Sequence, residues 1–240
     1  MTRAALARFG SLVVFALAAG CTTGPAPIVV HEDRQTSVRL QFDPEAGTGH
    51  DHPVSLAPEQ LARILQGIRV AGRDVVVGFG LFGDRQGSPA FLPSQAAALA
   101  PHLSQALKKA SPRDLATFYL ITNVGGIRVT SGGIFHRKGH LYVILANAHT
   151  SPSSVQYEST YEPNLGDQPL LPIARYKYEV SFEPAEAWIP NSRAKTQDQY
   201  DRSYMDESKV VVIDLSRITT EPAPTPTAVP SPTGPAVSRP

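Results

Sequence analysis

His50 and His52, in Gly49-His-Asp-His-Pro53, are the residues best spaced to share a metal ion. Alternate side chains on an extended segment point the same way, and imidazole is a ligand for zinc, copper, iron and nickel. No third ligand is fixed by spacing, although His31, Glu32 and Asp33 lie upstream. A metal-dependent hydrolase using His50 and His52 is the enzyme reading this pair offers. Gly47-Thr48-Gly49 beside it points to a mobile loop, whereas a metal site needs ligands held by outer partners. The plainer expectation is therefore an exposed polar loop with no metal and no cofactor.

Other chemistry finds less support. Gly78-Phe-Gly80-Leu-Phe-Gly83 has the spacing of a dinucleotide-binding turn, but Asp84-Arg-Gln-Gly-Ser-Pro89 follows where that site needs a helix N-terminus. No G-x-S-x-G elbow is present, and Ser131 falls within an expected strand. No pair of carboxylates is marked out by an apolar setting. The catalytic set is therefore read as empty, and the chain as more a binder than an enzyme. His136 and His140 flank Arg137-Lys138-Gly139, a small basic hairpin tip suited to anionic head groups or cell-wall polymer. Tyr157 and Tyr161, Tyr200 and Tyr204, and Trp188 between the pairs fall on long polar stretches, 150–172 and 184–208. Aromatic residues on such excursions suit recognition of a protein or glycan. Residues 195–207 are expected to form a helix presenting Tyr200 and Tyr204.

The single cysteine, Cys21, excludes an internal disulfide and every CxxC site. Arg3 and Arg8 precede an uncharged, mostly apolar stretch from Phe9 to Ala19, too short to span a bilayer as a helix. It ends in Leu17-Ala18-Ala19-Gly20-Cys21. This arrangement resembles the lipobox of bacterial lipoproteins, although Ala18 stands where leucine is commonest. The resemblance implies that residues 1–20 are a signal peptide, removed after a diacylglycerol is attached to the Cys21 thiol. Two or three acyl chains on that residue anchor a protein stably. Thr22 follows, not the aspartate associated with inner-membrane retention in enteric bacteria, so the resemblance favours an outer-membrane anchor facing the periplasm. The expected partners are the membrane and an envelope protein or the cell wall. A third reading is a small-ligand binder with a pocket between helices and sheet.

The composition agrees with one exported domain. The chain has 240 residues, 42% hydrophobic and 18% charged, with a net charge of +1, which argues against nucleic acid as a partner. Loss of Arg3 and Arg8 with the signal takes 22 basic residues to 20 against 21 acidic ones, a mature charge of −1. Residues 21–30 read as a tether and 220–240, rich in proline and threonine, as a disordered tail. That leaves 31–219 to fold as one domain.

The elements that must position these groups follow from periodicity. Val38, Leu40 and Phe42 alternate with polar residues as a half-buried strand. Ser55 is placed to cap a helix whose Leu61, Ile64, Leu65 and Ile68 share one face. Residues 74–82 read as an apolar strand. Residues 94–110 read as a second helix, which Pro101 should kink or restart. A meander follows over 115–122, 127–136 and 140–148, with a bulge expected at Gly132-Gly133. Residues 174–182 and 209–215 read as the last strands. Short links require antiparallel pairing. The fold class expected is α+β: a mainly antiparallel sheet of about six or seven strands with two helices packed on one face.

Overall fold

The computed structural model describes residues 24–72, 87–123, 126–152, 165–173, 177–198 and 206–218, with the backbone alone at 165 and 195–198. In chain order the elements are β1 (Ile28–Glu32), β2 (Thr36–Phe42), α1 (Pro58–Gly67), β3 (Ile68–Gly72), β4 (Ser88–Pro89), α2 (Pro93–Lys109), β5 (Asp114–Asn123), β6 (Ile127–Arg137), β7 (His140–Thr150), β8 (Tyr178–Phe182), β9 (Trp188–Ile189), α3 (Asn191–Asp198) and β10 (Val210–Asp214). They form a seven-stranded sheet ordered β1-β2-β5-β6-β7-β10-β9 and a three-stranded sheet ordered β4-β3-β8. Every pairing is antiparallel. The expected α+β class is present. β1 starts inside the stretch read as tether.

Both faces of the large sheet are covered. Val38, Leu40, Ala116, Phe118, Leu120, Ile134, Leu141, Val143, Leu145, Val211 and Ile213 turn to one side and share a core with α1 and α2. Leu115, Phe135, Tyr142, Ile144, Val210 and Val212 turn to the other, where Ala194 of α3, Leu170 and Ile189 close over them. This two-sided cover leaves β5, β6 and β7 buried along most of their length, with no alternation of buried and exposed residues. Each fully buried Leu, Ile or Phe contributes on the order of 1.5–3 kcal/mol.

The helices depart from expectation at their starts and in the middle. Ser55 does not cap α1; Ala57 is the N-cap, with no side-chain hydrogen bond, and Pro58 opens the helix. In α2 the side chain of Gln95 accepts from the N–H of Leu92, and the helix runs through Pro101 without restarting. Proline costs that helix one N–H donor. The burial of Leu99, Ala100, Leu103, Ala106 and Leu107 offsets the loss.

The extra residues lie on β7, not at Gly132-Gly133: the register slips between Val129 and Ser131 and again between Ser131 and Gly132. Gly132 pairs with Leu145 and Ser131 with Asn147, so Ala146 is the extra residue at the second slip. Side chains and neighbouring backbone use this irregularity. The Tyr178 hydroxyl donates to the Leu145 carbonyl at 2.6 Å. Asn147 donates through Nδ2 to Ser131 Oγ and to the Leu171 carbonyl, each at 2.8 Å, and its Oδ1 accepts from the N–H of Ile173. Ser131 Oγ donates to the Pro169 carbonyl at 2.7 Å. Together these bonds fasten residues 169–173 to β6 and β7. Gly132 is required there, because a Cβ would lie 1.8 Å from the Ile144 carbonyl oxygen.

Candidate functional site

His50 and His52 do not sit on an exposed loop; both are buried. The segment after β2 folds back under the β6–β7 hairpin and is pinned along its length. Asp43 N–H bonds the Arg113 carbonyl, His50 N–H the Pro112 carbonyl at 2.7 Å, and Asp51 N–H the His136 carbonyl at 2.9 Å. The glycines that suggested mobility make tight turns instead: Gly47 and Gly49 both have positive φ, which other residues rarely adopt.

The side chains follow from that path. His50 Nε2 lies 2.8 Å from Asp43 Oδ2, and both side chains are excluded from solvent. The His50 ring packs on Phe135, with centroids 4.3 Å apart, and meets the His52 ring edge-on at 5.6 Å. Among the described residues His50 Nδ1 and both ring nitrogens of His52 have no hydrogen-bond partner. Burial, helped by His50 and His136 nearby, pushes His52 down to about 4, so its ring is neutral at neutral pH. No group of three or more His, Cys, Asp or Glu side chains among the described residues is placed to hold a metal ion. His31 and Asp33 do not join the pair; His31 stacks on His102 of α2 at 3.6 Å and contacts Asp33 at 3.0 Å. A carboxylate–imidazole pair and a second imidazole fill the corner between β2, β5 and β6.

The basic tip is smaller than its sequence implies. Lys138 and Gly139 both have positive φ, a two-residue hairpin turn. Arg137 is buried and donates to the Ala46 carbonyl and Thr48 Oγ1. His136 Nδ1 faces the Asp51 carbonyl, and the Asp51 carboxylate accepts from the Lys138 N–H. Lys138 stays exposed, and so do Lys108, Lys109 and Arg113 at the end of α2 and the turn after it. Reading the hairpin alone misses the latter three, because they flank the end of a helix.

A second feature lies where β8 meets β9 and α3. A cleft of about 590 Å³ is lined by Ala71, Glu179, Ser181, Trp188, Asn191 and Asp206, among others. Trp188 is 40% exposed there. Asn191 Nδ2 donates to the carbonyls of Glu207 and Val210 and so fixes the start of α3 against β10. The helix expected over 195–207 begins earlier, at Asn191, and residues 199–205 lie outside the described residues. Also outside them are Cys21, the glycine motif at 78–83, and Tyr157, Tyr161, Tyr200 and Tyr204. The space between α1, α2 and the sheet, where a ligand pocket was one reading, is filled by core side chains.

Compared with known protein families, curated proteins and solved structures, the chain matches none.

Proposed function

We propose that this chain is a bacterial lipoprotein, anchored through Cys21 in the outer membrane and facing the periplasm, whose domain is a non-enzymatic binding or assembly accessory. The anchor is supported by the one cysteine of the chain standing where lipidation chemistry requires it. Binding rather than catalysis is supported by the burial of His50 and His52, which keeps the best-spaced ligand pair away from substrate.

The observation that carries the binding reading is the half-exposed indole of Trp188 in the cleft beside β8. An indole face stacks on a sugar ring or accepts a cation, and Glu179 and Asp206 line the same cleft. The partner expected is an envelope protein or glycan that presents a cationic or ring-shaped group.

In-cell crosslinking of the full chain from a photoreactive residue at Ser181 tests this. The expected result is one envelope adduct, lost in Trp188→Ala. No adduct, together with full function of a Cys21→Ser form, would sink the reading. Stoichiometric metal on the purified chain, lost in a His50→Ala/His52→Ala variant, would favour the metal-dependent hydrolase instead.

A further inference from the structure

The end of the domain nearest the anchor can be located from the chain path. Gly24 sits against the Phe42 ring, so close that a Cβ on it would lie 3.2 Å from Cδ1. Phe42 is the last residue of β2 and pairs with Asp114, the first of β5. The Arg113 guanidinium lies 6.0 Å from the centre of the Phe42 ring. Cys21 precedes Gly24 by three residues, which reach no more than about 10 Å. A lipid on Cys21 therefore holds this end of the sheet, and not the opposite end at Asn123 and Ile127, close to the bilayer.

The same end collects exposed positive charge. Lys108 and Lys109 close α2, and Arg113 lies within the tight turn in which the Asp114 N–H bonds the Ser111 carbonyl. All three side chains are exposed. Of the acidic groups at this end, Asp43 is buried, Asp114 is half-buried and Asp51 is exposed, and each is engaged by the protein's own donors. Asp43 holds His50 and the N–H of Glu45, Asp51 accepts from the Lys138 N–H, and Asp114 accepts from the Ser111 N–H at 2.7 Å.

We propose that the end carrying Lys108, Lys109 and Arg113 lies against the anionic head groups of the membrane that holds Cys21, an inference that rests on the lipid-anchor reading. The acyl chains supply the attachment, and the three cations set the orientation. Lysines at a helix C-terminus also favour the helix dipole, so the test must separate orientation from stability.

Because lipid occupies the one natural cysteine, a thiol introduced by Ser111→Cys is a unique labelling site. The lipidated full chain, labelled there with a fluorophore, is reconstituted into phosphatidylethanolamine vesicles with or without phosphatidylglycerol, each carrying head-group quenchers. Quenching is expected to rise with phosphatidylglycerol and to fall with salt. In Lys108→Gln/Lys109→Gln/Arg113→Gln the docked-to-undocked ratio should drop about fivefold per cation, the fold-change of about 1 kcal/mol each. A label at Ile127→Cys should respond to neither lipid nor salt. If the triple variant melts early, the salt series and single Arg113→Gln carry the comparison. Indifference of the Ser111 label to lipid charge, salt and substitution overturns the docking, and so does a charge-dependent response only to isolated cell wall. Mass spectrometry of Cys21 separates the two readings: acylated protein without docking leaves the anchor standing, whereas a chain without acyl mass removes both.

Discussion

At the scale of single residues, the pairing of His50 and His52 was legible and their burial was not. Spacing shows that two side chains leave an extended segment on one side. It does not show whether that side meets water or Phe135. Nor does it reveal Asp43, seven residues upstream at the end of β2, as the partner of His50. That burial has measurable consequences. His52 ordinarily titrates near 6.5, and burial lowers this to about 4 in the folded chain. Between those values the unfolded chain binds a proton that the folded chain does not. Stability is therefore complete above about pH 6.5 and falls as the pH drops toward 4, by about 3 kcal/mol in all. Urea unfolding across that range should show the slope, and His52→Leu should flatten it at little cost, since neither ring nitrogen has a partner among the described residues. An equal slope in the variant would assign the effect to other groups. Asp43→Ala strands His50 Nε2 and the Glu45 N–H, and should cost about 1–3 kcal/mol per stranded group.

At the scale of elements, turns between short runs located the β5–β7 meander, and alternation located β2 and β8, each with one face on the core shared with α1 and α2. Neither gave any sign of the second layer. The cover of Ala194, Leu170 and Ile189 comes from segments with no clear period: the Asn147–Ser131 network beside the β7 bulge holds Leu170, and Asn191 and the pairing of β9 with β10 hold the other two. A glycine pair looks like the natural place for a bulge. Gly132 serves another need, the close approach of the Ile144 carbonyl, and Gly132→Ala should destabilise the sheet by about 1–3 kcal/mol as β6 shifts away. Thermal unfolding checks this, and an unchanged midpoint would mean that the strands give freely. Pro101 misleads in the opposite sense. Proline signals a break, yet the buried face of α2 outweighs the lost donor. Pro101→Ala restores a backbone bond at an exposed position while loosening the unfolded chain, and a net gain of about 1–2 kcal/mol in chemical denaturation is expected.

At the scale of the whole molecule, the anchor is read from the sequence alone, whereas the orientation on the membrane needs the fold. No periodicity announces that Arg113, close after Lys108 and Lys109, faces the Phe42 ring on which Gly24 rests; the pairing of β2 with β5 does. Cys21→Ser should move the protein from the membrane fraction to the soluble periplasm, and fractionation with the mature mass of each form checks it. The two ends of the large sheet bear on life in such a plane. The proposed anchor would confine copies to two dimensions, where encounters are frequent and bare strand edges invite pairing. β9, at one end, has two residues. β1, at the other, slips register between Val29 and His31, with Val30 as the extra residue. A short strand and a kinked one give a neighbouring copy little straight backbone to continue. Crowding on the membrane should thus leave the protein dispersed, visible as a single diffusing species at rising surface density, with no ribbon of sheets joined edge to edge.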